Sequence, residues 1–195
     1  MMYNFRKETD PAGRTKSEQK GEFIMSGSSP ETNPNFDPNY DPSQYSSDPM
    51  ERRLLRLTSR RKGDPDPTVP NTQMSPDLVS FDSEQRIAEL AYETREWMKN
   101  PLGQVHGGMV GLLMDAGMGA TVYSVYGFTA PSITMTLNYI RPVPADTRIH
   151  VRTHLVSCGK NTCHAVAEMT AEGQPDRVLV TATSVFHIGG KPMRT

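Results

Sequence analysis

One apolar stretch constrains the fold more than any other feature: residues 100–127, with the sequence NPLGQVHGGMVGLLMDAGMGATVYSVYG. From Met109 onward this run is too long for one strand and does not alternate polar with apolar residues, so it predicts an α-helix. Because the helix would be apolar or small on every side, we expect it to be buried all round. Its glycines Gly111, Gly117 and Gly119 lower helix propensity by roughly 1 kcal/mol each, which predicts that a sheet or a second helix approaches the backbone closely.

A single carboxylate, Asp115, interrupts this apolar run. Burying an acid costs free energy unless it has a partner or a task, so Asp115 is the strongest functional signal in the chain. Residues 107–127 also approach the roughly 20 residues that a membrane-spanning helix needs. The central acid, the many glycines and the lack of Lys or Arg near the ends argue against a span. We therefore expect the enclosed helix of a globular domain.

The composition divides the chain near residue 75. More than half of the sixteen prolines lie in residues 1–75, where aliphatic side chains are few. Such a segment cannot bury enough apolar surface to offset its ordering entropy, so it predicts a disordered extension. Within it, residues 49–61 predict a short helix that Asp48 can cap and whose arginines face solvent. Residues 76–195 predict one globular domain.

Charge and cysteine content exclude several classes of protein. The net charge of −1 gives no electrostatic basis for nucleic acid as the main partner. The two cysteines, Cys158 and Cys163, and the absence of a signal peptide favour a reducing, cytoplasmic setting. Together with His164 they form only a weak metal-site pattern on one hairpin, so we expect two reduced thiols and no metal site.

Alternating residues predict an antiparallel meander after the helix. In Ser132–Ile140 the side chains of Ile133, Met135, Leu137 and Tyr139 face one way, and those of Ser132 and Thr134 face the other. Further alternation marks strands around 149–155, 165–169 and 178–186. Residues 83–99 match both a helical stripe and a strand. The pattern predicts an α+β fold in which the sheet wraps the long helix.

One motif resembles that of a known family. It consists of Asn100, His106-Gly107-Gly108 and Asp115, followed by the segment SITMTLNYIRP. Over about residues 78–190 the chain resembles the hotdog-fold thioesterases of the phenylacetic-acid-degradation type. The resemblance implies the hotdog fold, a long central helix wrapped by a curved antiparallel sheet of five or six strands. It also implies that residues 86–98 form the first strand, against their helical periodicity.

The same resemblance implies hydrolysis of acyl-coenzyme A by a homodimer, assembled as a dimer of dimers, with coenzyme A as part of the substrate and no metal or bound cofactor. Asp115 would be the general base or the nucleophile, and both roles stay open. The N–H of Gly107 would polarise the thioester carbonyl. Asn100 and His106 would position the thioester and that N–H. Ser132, or Thr134 in its place, would hold the attacking water.

Two further expectations concern the substrate. Arg141 and Lys160 lie beside turns, so they are candidates to hold the phosphates of coenzyme A. Apolar residues such as Met109 and Met114 suit alkyl and aryl groups equally, so the acyl group is not readable from the sequence.

Two other functions stay open at this stage. The first is a non-catalytic acyl-CoA-binding module with Asp115 in a structural role. The second is an interaction protein whose Pro/aromatic tail docks a partner.

Overall fold

The computed structural model describes residues 46–59 and 70–189, and the expectations for residues 1–45 lie outside these ranges. The described part contains three α-helices, one short 3-10 helix at Glu96–Met98 and six strands. The helices are α1 (Pro49–Ser59), α2 (Pro70–Gln73) and α3 (Gly107–Tyr126). The strands are β1 (Asp77–Asp82), β2 (Ile87–Glu93), β3 (Ser132–Tyr139), β4 (Arg148–Cys158), β5 (Thr162–Ala171) and β6 (Val180–His187).

All six strands form one antiparallel sheet in the order β1-β2-β4-β5-β6-β3. The long helix α3 carries the chain from β2, near one edge, to β3 at the opposite edge. The predicted architecture of a long helix against an antiparallel sheet is therefore confirmed, and the strand count is six. Because β3 has a strand on only one side, its outer edge is free to pair with another chain.

The helix α3 packs closely against the sheet, and two of its glycines make that contact possible. A Cβ built on Gly117 would lie 2.8 Å from the Val151 side chain on β4, and one on Gly111 would lie 3.4 Å from Leu137 on β3. At Gly117 a side chain larger than hydrogen would push helix and sheet apart, whereas at Gly111 it would just touch Leu137. The expected close approach is thus confirmed for the sheet at these two positions.

The expectation that α3 is buried all round is wrong. About half of its most apolar 18-residue stretch is buried inside the domain. By length and composition alone, α3 could also cross a membrane. The strands and α1 cover one side, which is how a globular domain packs an internal helix. The other side keeps an incompletely buried stripe of residues at helical spacing, which we call the open stripe: Gly108, Leu112, Asp115, Gly119 and Tyr123.

The ambiguous segment 83–99 contains a strand at Ile87–Glu93, shorter than the expected 86–98. Its helical periodicity is misleading because residues on both sides of β2 are buried, among them Leu90 in the core and Ala91 on the opposite side. The strand ends at Glu93, and the hydroxyl of the following Thr94 donates to the carbonyl of Thr147 at 2.8 Å. The strand β1 precedes it and was not predicted.

Where the sequence predicts a short helix near 49–61, the structure has α1 at Pro49–Ser59, with Asp48 as its cap, and residues 60 and 61 lie outside the described ranges. Asp48 Oδ1 accepts the N–H of Met50 at 2.7 Å, as an N-cap residue does. Met50 and Leu54 are buried in the core, so the packed part of the chain includes residues before 76. The guanidinium of Arg53 is not on a solvated face. It donates to two carbonyls in the last turn of α3, those of Ser124 and Val125, at 2.8 and 2.9 Å.

Candidate active site

The loop before α3 is shaped by Asn100. Its side-chain Oδ1 accepts the N–H of Leu102 at 2.9 Å and of Gln104 at 3.2 Å, and its backbone N–H donates to the Gln104 carbonyl at 2.7 Å. Gly103 closes the turn with a φ of +76°, a conformation that side chains other than glycine rarely adopt. Asn100 therefore holds the loop that delivers His106 to the start of α3.

His106 caps α3, and this cap leaves one backbone donor free. The imidazole Nδ1 accepts the N–H of Gly108 at 3.0 Å. The His106 carbonyl accepts the N–H groups of Met109 and Val110 at 2.8 and 3.0 Å. Among the described residues, the N–H of Gly107 has no acceptor. It lies at the positive end of the helix dipole, where an incoming carbonyl oxygen would be stabilised.

Asp115 lies on the open stripe of α3 and is only partly buried, so the expectation of a fully buried acid is wrong. Its Oδ1 accepts a hydrogen bond of 2.7 Å from the hydroxyl of Ser132, the first residue of β3. The second carboxylate oxygen has no partner within residues 46–59 and 70–189. The carboxylate is thus held in place by one hydroxyl and keeps an oxygen that can act on a substrate or a water.

A β-bulge explains why Ser132, and not Thr134, reaches Asp115. The pairing of β3 with β6 shifts between Ser132 and Thr134, and Ser132 lies opposite the buried Phe186. A bulge adds one residue, so it reverses the side on which the preceding side chain lies. The predicted face for Ser132 is therefore wrong, since Ser132 shares the helix side with Leu137. Thr134 lies on the outer side of the sheet.

One chain does not bring the two ends of this site together. Gly107 and Asp115 are eight residues apart in the same helix, which corresponds to about 12 Å along the axis. The helix therefore carries two separate groups, the free N–H at its start and the Asp115–Ser132 pair in its third turn.

Tyr139, at the other end of β3, is a contact that the sequence did not reveal. Its hydroxyl donates to the carbonyl of Gly107 at 2.9 Å, and its ring lies 3.7 Å from where a Gly107 Cβ would be. The residue is in the NYIRP segment that carries the resemblance, which was the only signal. Ser132 and Tyr139 thus link both ends of β3 to α3.

Arg141 and Lys160, expected to hold phosphates, lie at opposite ends of the sheet. Arg141 follows β3 and donates from its guanidinium to the Val178 carbonyl at 2.5 Å, near the start of β6. Lys160 lies in the β4–β5 hairpin, where Asn161 contacts the residues that follow the end of β6. The eight residues of β6 separate them by about 25 Å. Of the expected lining residues, Met109 is partly buried, and Met114 is fully buried in the core.

The cysteine pair lies at the far end of α3 from the loop. Cys158 and Cys163 are direct partners across the β4–β5 hairpin, and both thiols are free. Burial raises the pKa of Cys163 to about 12, so this thiol is not a nucleophile at neutral pH. Within residues 46–59 and 70–189, no group of three or more His, Cys, Asp or Glu side chains has an arrangement that could hold a metal ion.

A charged cluster on the outer face of the sheet was also not predicted. The two ring nitrogens of His150 contact Glu89 at 2.8 Å and Glu172 at 2.5 Å. Burial lowers the pKa of His150, but the two carboxylates outweigh it and the net shift is upward. The hydrogen bond with His150 also holds the pKa of Glu172 below its usual value. Arg148 extends the cluster toward Asp77.

Comparison with known proteins decides the family. The family model described as the acyl-CoA thioesterase N-terminal domain matches residues 94–187, which include α3 and β3 to β6. Acyl-coenzyme A thioesterase 13 of Mus musculus is 30% identical over 113 residues, which cover 57% of this chain and 79% of that protein. The chain belongs to the acyl-coenzyme A thioesterases with the hotdog fold. This thioesterase is accordingly a thioester hydrolase.

Solved structures agree with the fold of this thioesterase. A phenylacetic acid degradation-related protein from Ralstonia eutropha JMP134 superimposes with a TM-score of 0.57 at 26% identity, covering 72% of this chain and 99% of that one. A Streptococcus mutans UA159 protein bound to acetyl-CoA superimposes with a TM-score of 0.52 at 22% identity, covering 60% and 90%. The second identity is low enough that the likeness speaks for the fold alone.

Proposed function

We propose that the chain hydrolyses an acyl- or aryl-CoA to the free acid and coenzyme A, with Asp115 acting on the thioester and the Gly107 N–H polarising its carbonyl. The observation that carries this proposal is the Asp115–Ser132 hydrogen bond of 2.7 Å. It holds a partly exposed carboxylate on an otherwise apolar helix and leaves one of its oxygens available. A carboxylate held in this way is oriented and still has an oxygen with which to act as a base or a nucleophile.

The reaction needs two chains. An attacking group must come within about 3–3.5 Å of the thioester carbon. The Asp115 side chain is too short to cover the roughly 12 Å to the N–H of its own Gly107. A second α3 that runs antiparallel to the first would bring its own Asp115 opposite this Gly107. A two-fold dimer meets that requirement and contains two equivalent sites.

The surface left open on one chain fits such a dimer. Apart from the neighbouring backbone of α3 itself, no atom of the described residues lies within 4 Å of the place where a Cβ of Gly119 would be, so the middle of the open stripe can admit a second helix. At the free edge of the sheet, Ile133 and Tyr139 of β3 and Ile140 directly after it are exposed at 53%, 55% and 49%. Pairing of two β3 edges would cover these side chains and continue the sheet from one chain into the other. Of the three helix glycines that predicted a close approach, Gly111 and Gly117 face the sheet, which leaves Gly119 to face a second helix.

In the proposed reaction the thioester carbonyl oxygen accepts the free N–H of Gly107, which stabilises the negative charge that develops on it. The Asp115 of the other chain then removes a proton from a water whose oxygen adds to the carbonyl carbon. Alternatively, its carboxylate attacks that carbon, and water afterwards hydrolyses the resulting anhydride and frees Asp115. The C–S bond breaks, the coenzyme A thiolate leaves and takes up a proton, and the second oxygen of the product acid comes from water. Both routes use only groups of the chain, so we propose that neither needs a metal or a bound cofactor.

Coenzyme A as the leaving group is supported by the relatives. The mouse relative is named for acyl-coenzyme A, and the Streptococcus mutans protein is bound to acetyl-CoA. We propose Arg141 and Lys160 as the cations for its phosphates. Since β6 separates them within one chain, a single coenzyme A could meet both only if they came from different chains.

A thiol-release assay over a panel of alkyl- and aryl-CoA substrates tests the proposal. We expect turnover of at least one substrate by the wild-type chain, and loss of that turnover in Asp115→Asn. A matched control is Asp82→Asn, because the one hydrogen bond of this carboxylate among the described residues comes from a backbone N–H in the loop after β1. If the chain bound acyl-CoA but released no thiol, hydrolysis would be rejected and the chain would be a non-catalytic acyl-CoA-binding module.

A further inference from the structure

The peptide group between Gly107 and Gly108 is held at both of its ends. Its carbonyl, which belongs to Gly107, accepts the Tyr139 hydroxyl at 2.9 Å. Its N–H, which belongs to Gly108, donates to His106 Nδ1 at 3.0 Å. A chain of two hydrogen bonds therefore runs from the phenol through one peptide to the imidazole, beside the free N–H of Gly107.

This chain determines which nitrogen of His106 carries the proton. A backbone N–H can only donate, so the Nδ1 that accepts it has no hydrogen. A neutral imidazole then carries its proton on Nε2. His106 is exposed, and its Nε2 has no partner in the described ranges 46–59 and 70–189. The ring thus presents an N–H donor at the mouth of the site.

The Tyr139 hydroxyl is not needed to satisfy the Gly107 carbonyl. Gly107 is the first residue of α3, so its carbonyl already accepts the backbone N–H of the residue four positions later in the helix. Tyr139 is more than half exposed, so water could serve its hydroxyl as well. What the contact adds is polarisation. A donor on a peptide carbonyl strengthens the hydrogen bond that the N–H of the same peptide donates, because hydrogen bonds in a chain reinforce one another.

We propose that Tyr139 is a positioning residue of the thioesterase site. Its hydroxyl, acting through the Gly107–Gly108 peptide, holds His106 in the tautomer with the proton on Nε2. It also fixes the first turn of α3, so that the Gly107 N–H stays free for the thioester carbonyl. The effect on catalysis rests on the proposed function, whereas the effect on the His106 tautomer does not.

The test is Tyr139→Phe, which removes the hydroxyl and keeps the ring against Gly107. We expect kcat to fall roughly two- to tenfold, the range given by one hydrogen bond, with KM unchanged. We also expect the imidazole ¹⁵N spectrum to change. In the wild type His106 shows an unprotonated Nδ1 and a protonated Nε2, and in Tyr139→Phe it shows a mixture of tautomers. The His106 signals are assigned as those that disappear in His106→Gln.

Thr136→Val is the matched control, because Thr136 lies on the same strand as Tyr139, is exposed, and its hydroxyl makes no hydrogen bond within the described residues. It should leave both kcat and the His106 spectrum unchanged. An unchanged His106 spectrum in Tyr139→Phe would overturn the inference, whatever happens to kcat. A change of oligomeric state in that variant would also overturn it, since loss of packing would then suffice. If the wild type hydrolyses no acyl-CoA, the proposed function fails, but the spectrum still decides the role of Tyr139.

Discussion

Ser132 and Asp115 are joined by a hydrogen bond of 2.7 Å, which links the first residue of β3 to the ninth residue of α3. At the other end of the same strand, Tyr139 is bonded to the first residue of that helix. The edge strand and the central helix therefore run antiparallel, with one candidate catalytic group near each end of their contact. Since β3 is also the free edge of the sheet, pairing of this edge with another chain would act directly on both groups.

Asp115→Asn should abolish most turnover while the chain stays folded. Asparagine is neither a base nor a carboxylate nucleophile, yet its side-chain oxygen can still accept the Ser132 hydroxyl. Losing a general base or nucleophile costs at least roughly 10²-fold in kcat. Thiol release measures the rate, and thermal unfolding checks the fold. A folded variant that keeps a near-wild-type rate would exclude Asp115 from catalysis.

Ser132→Ala should lower kcat by about tenfold, because the carboxylate loses a hydrogen bond to a charged group. Without this hydroxyl the backbone of Asp115 would keep its position in α3, but the carboxylate would be free to change rotamer. Thr134→Ala is the control, since Thr134 lies on the outer side of the sheet. We expect its kcat to match the wild type. Equal losses in the two variants would mean that the effect comes from β3 and not from the hydroxyl at Asp115.

Arg141→Glu and Lys160→Glu should each raise KM for acyl-CoA by about tenfold, as expected for losing a charge-assisted contact to a phosphate. KM for a short pantetheine thioester, which lacks the nucleotide phosphates, should change little. Steady-state kinetics on both substrates measures the difference. The exposed Arg177, which donates to Gln174 in the β5–β6 turn, supplies the control Arg177→Glu. If the two substrates were affected equally, these cations would not bind the nucleotide part.

The sequence was most informative where one residue pattern has one structural explanation. The apolar run that includes Leu113 and Met118 is too long for a strand, and both side chains are fully buried in α3. The alternation from Met135 to Tyr139 marks β3 because one face of that strand meets the helix. The spacing from His106 to Asp115 also identified the family, and the structure gives His106 the role of cap.

The rest depends on contacts that a local pattern does not encode. Ile87 and Ala88 lie on opposite sides of β2 and are both buried, so no alternation marks the strand. The side on which Ser132 lies depends on a bulge relative to β6, and the sequence of β3 alone does not contain that register. Arg53 reaches the end of α3 from 71 residues away, and only the packing of α1 on that helix brings the two together.

His150→Gln should remove a pH-dependent part of the stability. The pKa of His150 is raised above its ordinary 6.5 in the folded state. Its contribution is therefore complete below that ordinary value and is lost as the pH rises through the folded pKa. On the acid side, the pKa of Glu172 is lowered from 4.5, so its contribution is lost as the pH falls through the folded value. The difference in free energy of unfolding between wild type and variant should be largest near about pH 6 and shrink toward about pH 8.

Denaturant titrations at several pH values measure this difference. Other charges also face the two carboxylates, since Arg152 lies 3.6 Å from Glu89 and Arg148 lies 3.7 Å from Glu172. These arginines stay charged throughout, so they do not contribute to the pH dependence in this range. His154→Gln is the control, because this residue lies on the same strand and its ring has no partner in the described part of the chain. A difference that does not vary with pH would exclude the His150 ion pairs as its source.

The last prediction concerns the two chains of the proposed dimer. Gly107→Val should disable the N–H half of a site, because a side chain next to the Tyr139 ring crowds the approach of the carbonyl. Asp115→Asn should disable the carboxylate half. Each homodimer would then be inactive, but a heterodimer would combine the intact Gly107 of one chain with the intact Asp115 of the other. One of its two sites would work.

The two variants are mixed under conditions that exchange subunits, and exchange is checked by mass spectrometry with one variant isotopically labelled. At equal amounts and random exchange, half of the dimers are heterodimers, so about a quarter of the wild-type activity should return. The control mixes Asp115→Asn with Ser132→Ala, which lie in the same half of the site. In its heterodimers, one site carries Asp115→Asn and the other carries Ser132→Ala. The activity of this mixture should therefore be no higher than the average activity of the two homodimeric variants. Exchange without recovery in the first mixture would place the Gly107 N–H and Asp115 in the same chain's site. A monomer that hydrolyses acyl-CoA would refute the shared site directly.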